Sequence, residues 1–584
     1  MFSLKSRRPA FISLILCAAF VLGIGLGSLT SHFFSEDAKF QAFTEKLFQA
    51  EASGSTLNLH YTLAHPEDYG ISSQEITLGE ISVDPTASYA QMESYEGKLN
   101  SFSYEELSQD NQLTLDLLLL FFHTERSLGD LYLLQEPLGP SLGIQAQLPV
   151  LLAEYAFYDK QDITDYLNLL TCVDEYFQSL LEFEEAKSKA GLFMSDTSLD
   201  RILEQCQSFI ENPSENCLLS VFQEKIQDFP GLTEAEKKQC ISTHKKIITN
   251  SLIPAYEHLM EGLEALQGTG KNSKGLCYYD GGREYYQYLL NSQVGIYASP
   301  ETVERRLYQQ LSADYTEMSR LLSEHPDLIN RISSEDLPKE EPADILKDLE
   351  TLYQEDFPAL EEPEYEVKYV HESMEDFLSP AFYLTPPIDT QSPNTIYINR
   401  ANKTSNLELF TTLAHEGFPG HLYQTLYFSG KNTTPVRSLF TCGGYIEGWA
   451  TYVESYAYGY ADADPDLTRL LWLNRSVNLN LYCLLDIGIH YHGWDLSQLT
   501  RYVRLFGITE EDVIQEIYQY IVETPANYLR YYVGYLGFYD LKNAASQKEG
   551  DAFDLKEFHR KVLEIGPVPF PILQKYLNLA SEEK

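Results

Sequence analysis

The sequence predicts a mostly α-helical protein: a large helical body with a small β-sheet ahead of its final run of helices, and one separate apolar helix at the N-terminus. Three observations predict it. Apolar residues recur at three- and four-residue steps through most of the chain, strand-like alternation stands out only between residues 364 and 400, and residues 9–31 carry no charge.

The N-terminal element comes first. Lys5, Arg7 and Arg8 form a basic flank over residues 1–8, and the apolar run follows. At about 1.5 Å per helical residue, that run is long enough to cross a hydrocarbon core of about 30 Å. The basic flank stays in the cytoplasm by the positive-inside rule, so the remainder of the chain is expected outside. The residues near Ser28 make a poor small-x-small cleavage site, and Leu16 stands before Cys17 where lipoprotein signals carry a small residue. Residues 9–31 are therefore read as an uncleaved, single-pass signal-anchor.

Residues 32–270 read as a helical scaffold, with helical periodicity over Asn111–Glu125, Ile163–Ala186 and Glu234–Leu266, the last kinked at Pro254. A helix over Pro300–Glu324 has Ser299 as N-cap before a first-turn proline. Tyr365, Val367 and Tyr369 alternate with polar residues, and Asn394–Arg400 is a second strand. Helices resume over Leu407–Tyr423, Tyr445–Tyr460, Leu467–His490, Glu510–Val522, Ala526–Ala545 and Leu555–Leu563. No Pro-, Gly- or Ser-rich linker divides residues 40–584, so scaffold and the region 271–584 are expected to form one continuous body.

With 584 residues, 44% of them apolar, the chain can bury a large core without help from a metal or a disulfide. A net charge of −44 excludes nucleic acid as a partner. Beyond Cys17 the chain has Cys172, Cys206, Cys217, Cys240, Cys277, Cys442 and Cys483, an odd set that cannot pair fully within one chain and contains no CxxC. Most of these are expected to be buried apolar residues.

The informative segment is Thr411-Thr-Leu-Ala-His-Glu-Gly-Phe-Pro-Gly-His421. In the HExxH motif two histidines four apart share a helix face and bind zinc, with the glutamate between them as general base. Here the second histidine stands six residues after the first, about 600° around a regular helix, so His415 and His421 would diverge. Pro419 and Gly420 supply the expected remedy, a kink that turns His421 back. Glu447, on a later helix, is the expected third ligand. Glu454 follows it by nearly two turns on the same face and is expected to hold a ligand histidine by a hydrogen bond. One zinc ion would bring the pKa of its bound water towards about 7, and Glu416 would take the proton as the hydroxide attacks a peptide carbonyl. Tyr531, Tyr532 and His490 are the candidate donors to the oxyanion. A second His-Glu pair, His371-Glu372, has no further histidine nearby and is read as surface.

The second half resembles the bacterial family catalogued as domain of unknown function number 885, which its HE-x-x-P-G-H and E-G-W-A motifs group with the zincin-like metallopeptidases. The blocks that carry the resemblance run in order through Gly282–Leu290, Tyr383–Asn399, His415–Gln424, Glu447–Glu454, Asp486–Trp494, Pro525–Gly534 and Phe553–Leu573. The resemblance covers about residues 270–575 and implies a zincin-like helical body with a deep cleft. It implies His415, His421 and Glu447 as metal ligands, Glu416 as base, His490 and Tyr531 as active-site members, and Asp486 beside Glu454 as an outer support. Members often carry Tyr-Lys where this chain has Tyr531-Tyr532, which removes any role that needs that lysine.

Together these readings point to a membrane-anchored, extracytoplasmic zinc metallopeptidase acting on peptides. Two alternatives use the same residues: a zinc amidase acting on cell-wall peptides, and a surface peptide-binding protein without catalysis.

Overall fold

Local capping chemistry sets many of the helix boundaries. In α1 (Pro300–Glu324), Ser299 takes extended backbone angles and its hydroxyl accepts from the amide of Thr302, with Pro300 at the first helical position where its missing N–H costs nothing. Pro254 is absorbed without ending its helix: Glu234–Ile247 continues through a π-helical turn, Ile248–Leu252, into Ile253–Glu264. The structure, a computed structural model, describes residues 35–579 apart from 73–74, 333–336, 362, 372–374, 376–378, 403 and 433. The anchor expected over residues 9–31, Cys17 and Glu372 lie outside those residues. Among the described residues, no helix is long and apolar enough to cross a membrane.

The described chain is mostly helical, with one three-stranded sheet of order β1-β3-β2. β1 (Glu366–Tyr369) runs parallel to the central β3 (Thr395–Ile398), and β2 (Ala381–Leu384) runs antiparallel to it. β1 and β3 coincide with the two strands expected from alternation. β2 was not expected, because Ala-Phe-Tyr-Leu has no polar alternation to mark it.

Packing divides the chain differently from the boundary at residue 270. The main core joins residues between Phe40 and Leu134 to residues between Leu276 and Leu579. A second core is built largely from the helices between Ile144 and Glu264. Phe121, on the helix Gln109–Ser127, meets Phe440 edge-on at 4.6 Å, and Asp116 accepts from the Tyr576 hydroxyl at 2.7 Å, so this early helix belongs with the second half. The seven described cysteines are all free thiols, four of them buried.

A candidate metal centre

α2 (Asn406–Glu416) starts at an N-cap, Ser405, which accepts from the Glu408 amide, and buries Phe410, Leu413 and Ala414. The sequence predicts that this helix continues, kinked, to Tyr423. Instead it stops at Glu416, and a separate helix, α3 (His421–Ser429), begins after Gly417-Phe418-Pro419-Gly420. Both glycines leave helical backbone space, at φ −106°, ψ −98° for Gly417 and φ −82°, ψ −135° for Gly420. Gly420 turns so tightly over the end of α2 that a Cβ there would lie 1.7 Å from the His415 carbonyl oxygen. The Phe418–Pro419 peptide is cis, and the indole N–H of Trp449 donates to the Pro419 carbonyl at 2.9 Å. A six-residue spacing that would separate two histidines on one helix thus brings them together at the junction of two. Their rings lie 4.8 Å apart and nearly perpendicular, at 86°.

α4 (Gly443–Tyr460) supplies Glu447 and Glu454. α6 (Asn527–Glu549) follows α5 (Pro465–Ile487) and packs against α4 in direct backbone contact. A Cβ on Gly448 would lie 2.4 Å from the Gly534 backbone, and one on Gly534 would lie 2.2 Å from the Gly444 carbonyl. Glycine at these positions lets the two helices close up, which carries Tyr531 to the site: its ring is 6.4 Å from that of His415 and inclined by 21°.

One donor atom each from His415, His421 and Glu447 lies within 4.8 Å of the others. His421 Nε2 is 3.5 Å and His415 Nε2 is 3.8 Å from Glu447 Oε2. Bonds of about 2.0–2.1 Å at tetrahedral angles would set such donors about 3.3 Å apart, close to the two histidine–carboxylate spacings. The other nitrogen of His415, Nδ1, is 2.7 Å from Glu454 Oε1. An ionised carboxylate only accepts, so Nδ1 carries a proton, which leaves Nε2, the nitrogen that faces Glu447, as the one that would bind a metal on giving up any proton of its own. Arg475 Nε donates to the other oxygen of Glu454 at 3.3 Å.

The charges of the histidines and carboxylates in this site are coupled. Burial opposes charge on His415, yet hydrogen bonds to Glu447 and Glu454 hold its pKa up at about 10. Burial likewise opposes ionisation of Glu447, but the two histidines keep it well below the usual carboxylate range. Glu416 lies beside them on α2, and its Oε2 accepts from the Tyr383 amide of β2 at 2.9 Å. Burial, followed by the charges of Glu447 and Glu416, pushes the Tyr531 phenol up, so its hydroxyl stays protonated.

The family described as a bacterial protein of unknown function (DUF885) matches residues 70–577. The chain belongs to the DUF885 family. The match takes in the scaffold helices as well as the second half, well beyond the segment expected from the motif blocks. No curated protein matches this DUF885 chain. A solved structure from Colwellia psychrerythraea, described as a "putative lipoprotein", is 21% identical, with a TM-score of 0.79, and the similarity covers 93% of this chain and 99% of the other. A second, from Shewanella oneidensis, described as a "putative lipoprotein of unknown function", is 18% identical over 92% of this chain and 99% of the other, with a TM-score of 0.61. At these identities the likeness establishes a shared fold.

Two residues that the resemblance assigns to the site sit elsewhere in this DUF885 protein. His490 is fully buried; Nδ1 accepts from the Leu276 amide at 3.1 Å, and Nε2 donates to the Ile521 carbonyl at 2.8 Å. Both ring nitrogens are thus committed to main chain, and burial presses its pKa down to about 4. It ties two chain segments together as a neutral imidazole and has no atom left for a substrate. Asp486 accepts from the Tyr286 hydroxyl at 2.6 Å and from the Ala526 amide at 3.0 Å. Its partners are not the ligand histidines; it anchors the start of α6, where Ala526 takes a left-handed conformation, and so positions Tyr531 only through that helix. Tyr532 points away, its hydroxyl 2.6 Å from that of Ser476. Sequence reasoning did not foresee the Tyr383 amide, Arg475 or a role for Trp449. Trp449 and Tyr383 carried a signal, their places in the Glu447–Glu454 and Tyr383–Asn399 blocks, whereas Arg475 lies in none of the blocks.

Proposed function

We propose that this DUF885 protein is a zinc-dependent peptidase that works outside the cytoplasm. The observation that carries the proposal is the trio His415, His421 and Glu447, with Glu416 alongside and Glu454 fixing the tautomer of His415. The two Nε2 atoms and the Glu447 carboxylate would hold the ion. Zinc in such a site acts as a Lewis acid on a carbonyl and lowers the pKa of a coordinated water.

The protein's own groups divide the remaining work. Glu416, steadied by the Tyr383 amide, accepts a proton from the attacking water and returns it to the leaving amine. Tyr531 keeps its proton and donates a hydrogen bond to the oxyanion that forms on the scissile carbonyl. Glu454, through its charge and its bond to Arg475, holds the His415 ring in one orientation.

Two measurements test this reading. Purified wild type should hold about one zinc per chain and His421→Ala should hold none; wild type that takes up no zinc when supplied refutes it. Cleavage of a mixed peptide pool should vanish in Glu416→Gln while zinc content stays unchanged.

The descriptions of the Colwellia and Shewanella proteins as "putative lipoprotein" support a membrane-associated, extracytoplasmic location. They also favour a second mode of attachment, a lipid on Cys17 in place of the signal-anchor. Incorporation of labelled fatty acid into wild type and its loss in Cys17→Ser would distinguish the two.

A further inference from the structure

Beside the trio lies a cavity of about 400 Å³ that includes His421 and Glu447 in its wall. α3, which begins at His421, gives it Leu426 and Phe428, and α4 gives it Ile446, the residue before Glu447. The segment that leaves β2 adds Pro386, Pro387 and Ile388. Elements that build the metal centre thus also bring apolar side chains to one space next to it. Apart from His421 and Glu447 themselves, the lining contains no Asp, Glu, Lys, Arg or His.

The apolar part of this wall is not fully covered by the fold. On α4, Tyr445 and Trp449 are completely buried in the main core, whereas Ile446 between them is half-buried and joins none of the apolar cores of the described residues. Ile388 and Leu426 are half-buried as well. Aliphatic surface left in water gains free energy when apolar matter covers it, in proportion to the area removed from water. A cavity of about 150 Å³ with apolar walls already admits benzene, so this one has room for the side chain of phenylalanine or leucine.

We infer that this cavity is the subsite for a residue next to the scissile bond and that it selects bulky apolar side chains, phenylalanine or leucine, through Ile388, Leu426 and Ile446. Alanine is too short to cover those walls. Lysine would lose its hydration against them and meet the like charge of the bound ion. The inference deepens the peptidase reading and rests on it, since the cavity adjoins the scissile bond only if the trio holds the catalytic ion.

The test uses zinc-loaded wild type and peptides identical except for Phe, Leu, Ala or Lys at each position flanking the cut, with cut sites mapped by mass spectrometry. Binding of the same set to zinc-loaded Glu416→Gln is measured by calorimetry. At one flanking position phenylalanine and leucine should be favoured about 10- to 100-fold over alanine in kcat/KM, the worth of burying one such side chain, with lysine below alanine. Ile388→Asn and Leu426→Asn should each cut the preference for phenylalanine over alanine by about threefold or more; the wild-type ranking alone decides the matter if neither variant folds. A preference that both folded variants leave intact overturns the assignment to this cavity. Cleavage without preference among phenylalanine, leucine and alanine overturns the subsite and leaves the peptidase reading standing. Binding that prefers phenylalanine and leucine without cleavage by wild type overturns the peptidase reading and keeps the pocket's selectivity. Equal binding and no cleavage overturn both.

Discussion

Replacing Glu454 with glutamine changes one charge in a buried site and leaves the shape of the side chain intact. The wild-type carboxylate accepts from His415 Nδ1 at 2.7 Å and from Arg475 at 3.3 Å, and only 5% of the residue is exposed. Glutamine can offer its carbonyl to Nδ1 but no negative charge, or its amide, which would force the ring into the tautomer that points a proton at the trio. Either outcome weakens the Nε2 donor. Losing such an outer partner costs about 10- to 100-fold in metal affinity, or roughly 1.4–2.7 kcal/mol. The assay is a zinc titration against a chromophoric chelator, run beside a thermal melt of the metal-free protein. Affinity unchanged within twofold, in a folded variant, would refute the argument that Glu454 prepares His415 for a metal.

Tyr531→Phe removes a single hydroxyl; kcat on a cleavable peptide should fall about 10²- to 10³-fold, with KM and zinc content nearly unchanged. Gly420→Ala places a methyl against the His415 carbonyl, and denaturant melts should register a loss of about 1–3 kcal/mol together with weaker zinc binding. His244, stacked on Phe222 at 4.0 Å, is held by burial at a pKa of about 3, far below the ordinary value of 6.5. The unfolded chain therefore binds one more proton than the folded one between those values, and this group's contribution to stability is lost as pH falls from about 6.5 towards about 3. His244→Phe lacks this term. Relative to the variant, wild type should lose about 2 kcal/mol between pH 7 and pH 5, and parallel stability curves would contradict the assignment.

Legibility in the sequence varied with the range of the interaction involved. The helix Pro300–Glu324 was readable to the residue, because Ser299, Pro300 and the apolar spacing act within a few positions of one another. The pair His415-Glu416 and the seven-residue step from Glu447 to Glu454 were readable because a helical repeat dictates which side chains share a face. β2 was not, since its place is fixed by pairing with β3 and by the approach of α2. His490 illustrates the opposite error: its position in a matching block suggested chemistry, whereas the amide of Leu276 and the carbonyl of Ile521 decide its role.

By itself, then, the amino-acid sequence determined the helical class, the strands with polar alternation, and the residue types able to bind a metal, since all of these follow from periodicity and local backbone preference. Tertiary structure alone decided that Pro419 separates two helices and does not merely bend one. It likewise decided that glycines on α4 and α6 close up to deliver Tyr531, and that Asp486 serves the start of α6. Each of those outcomes depends on which backbone lies within about 3 Å of which, a relation between residues distant in sequence that no local pattern encodes.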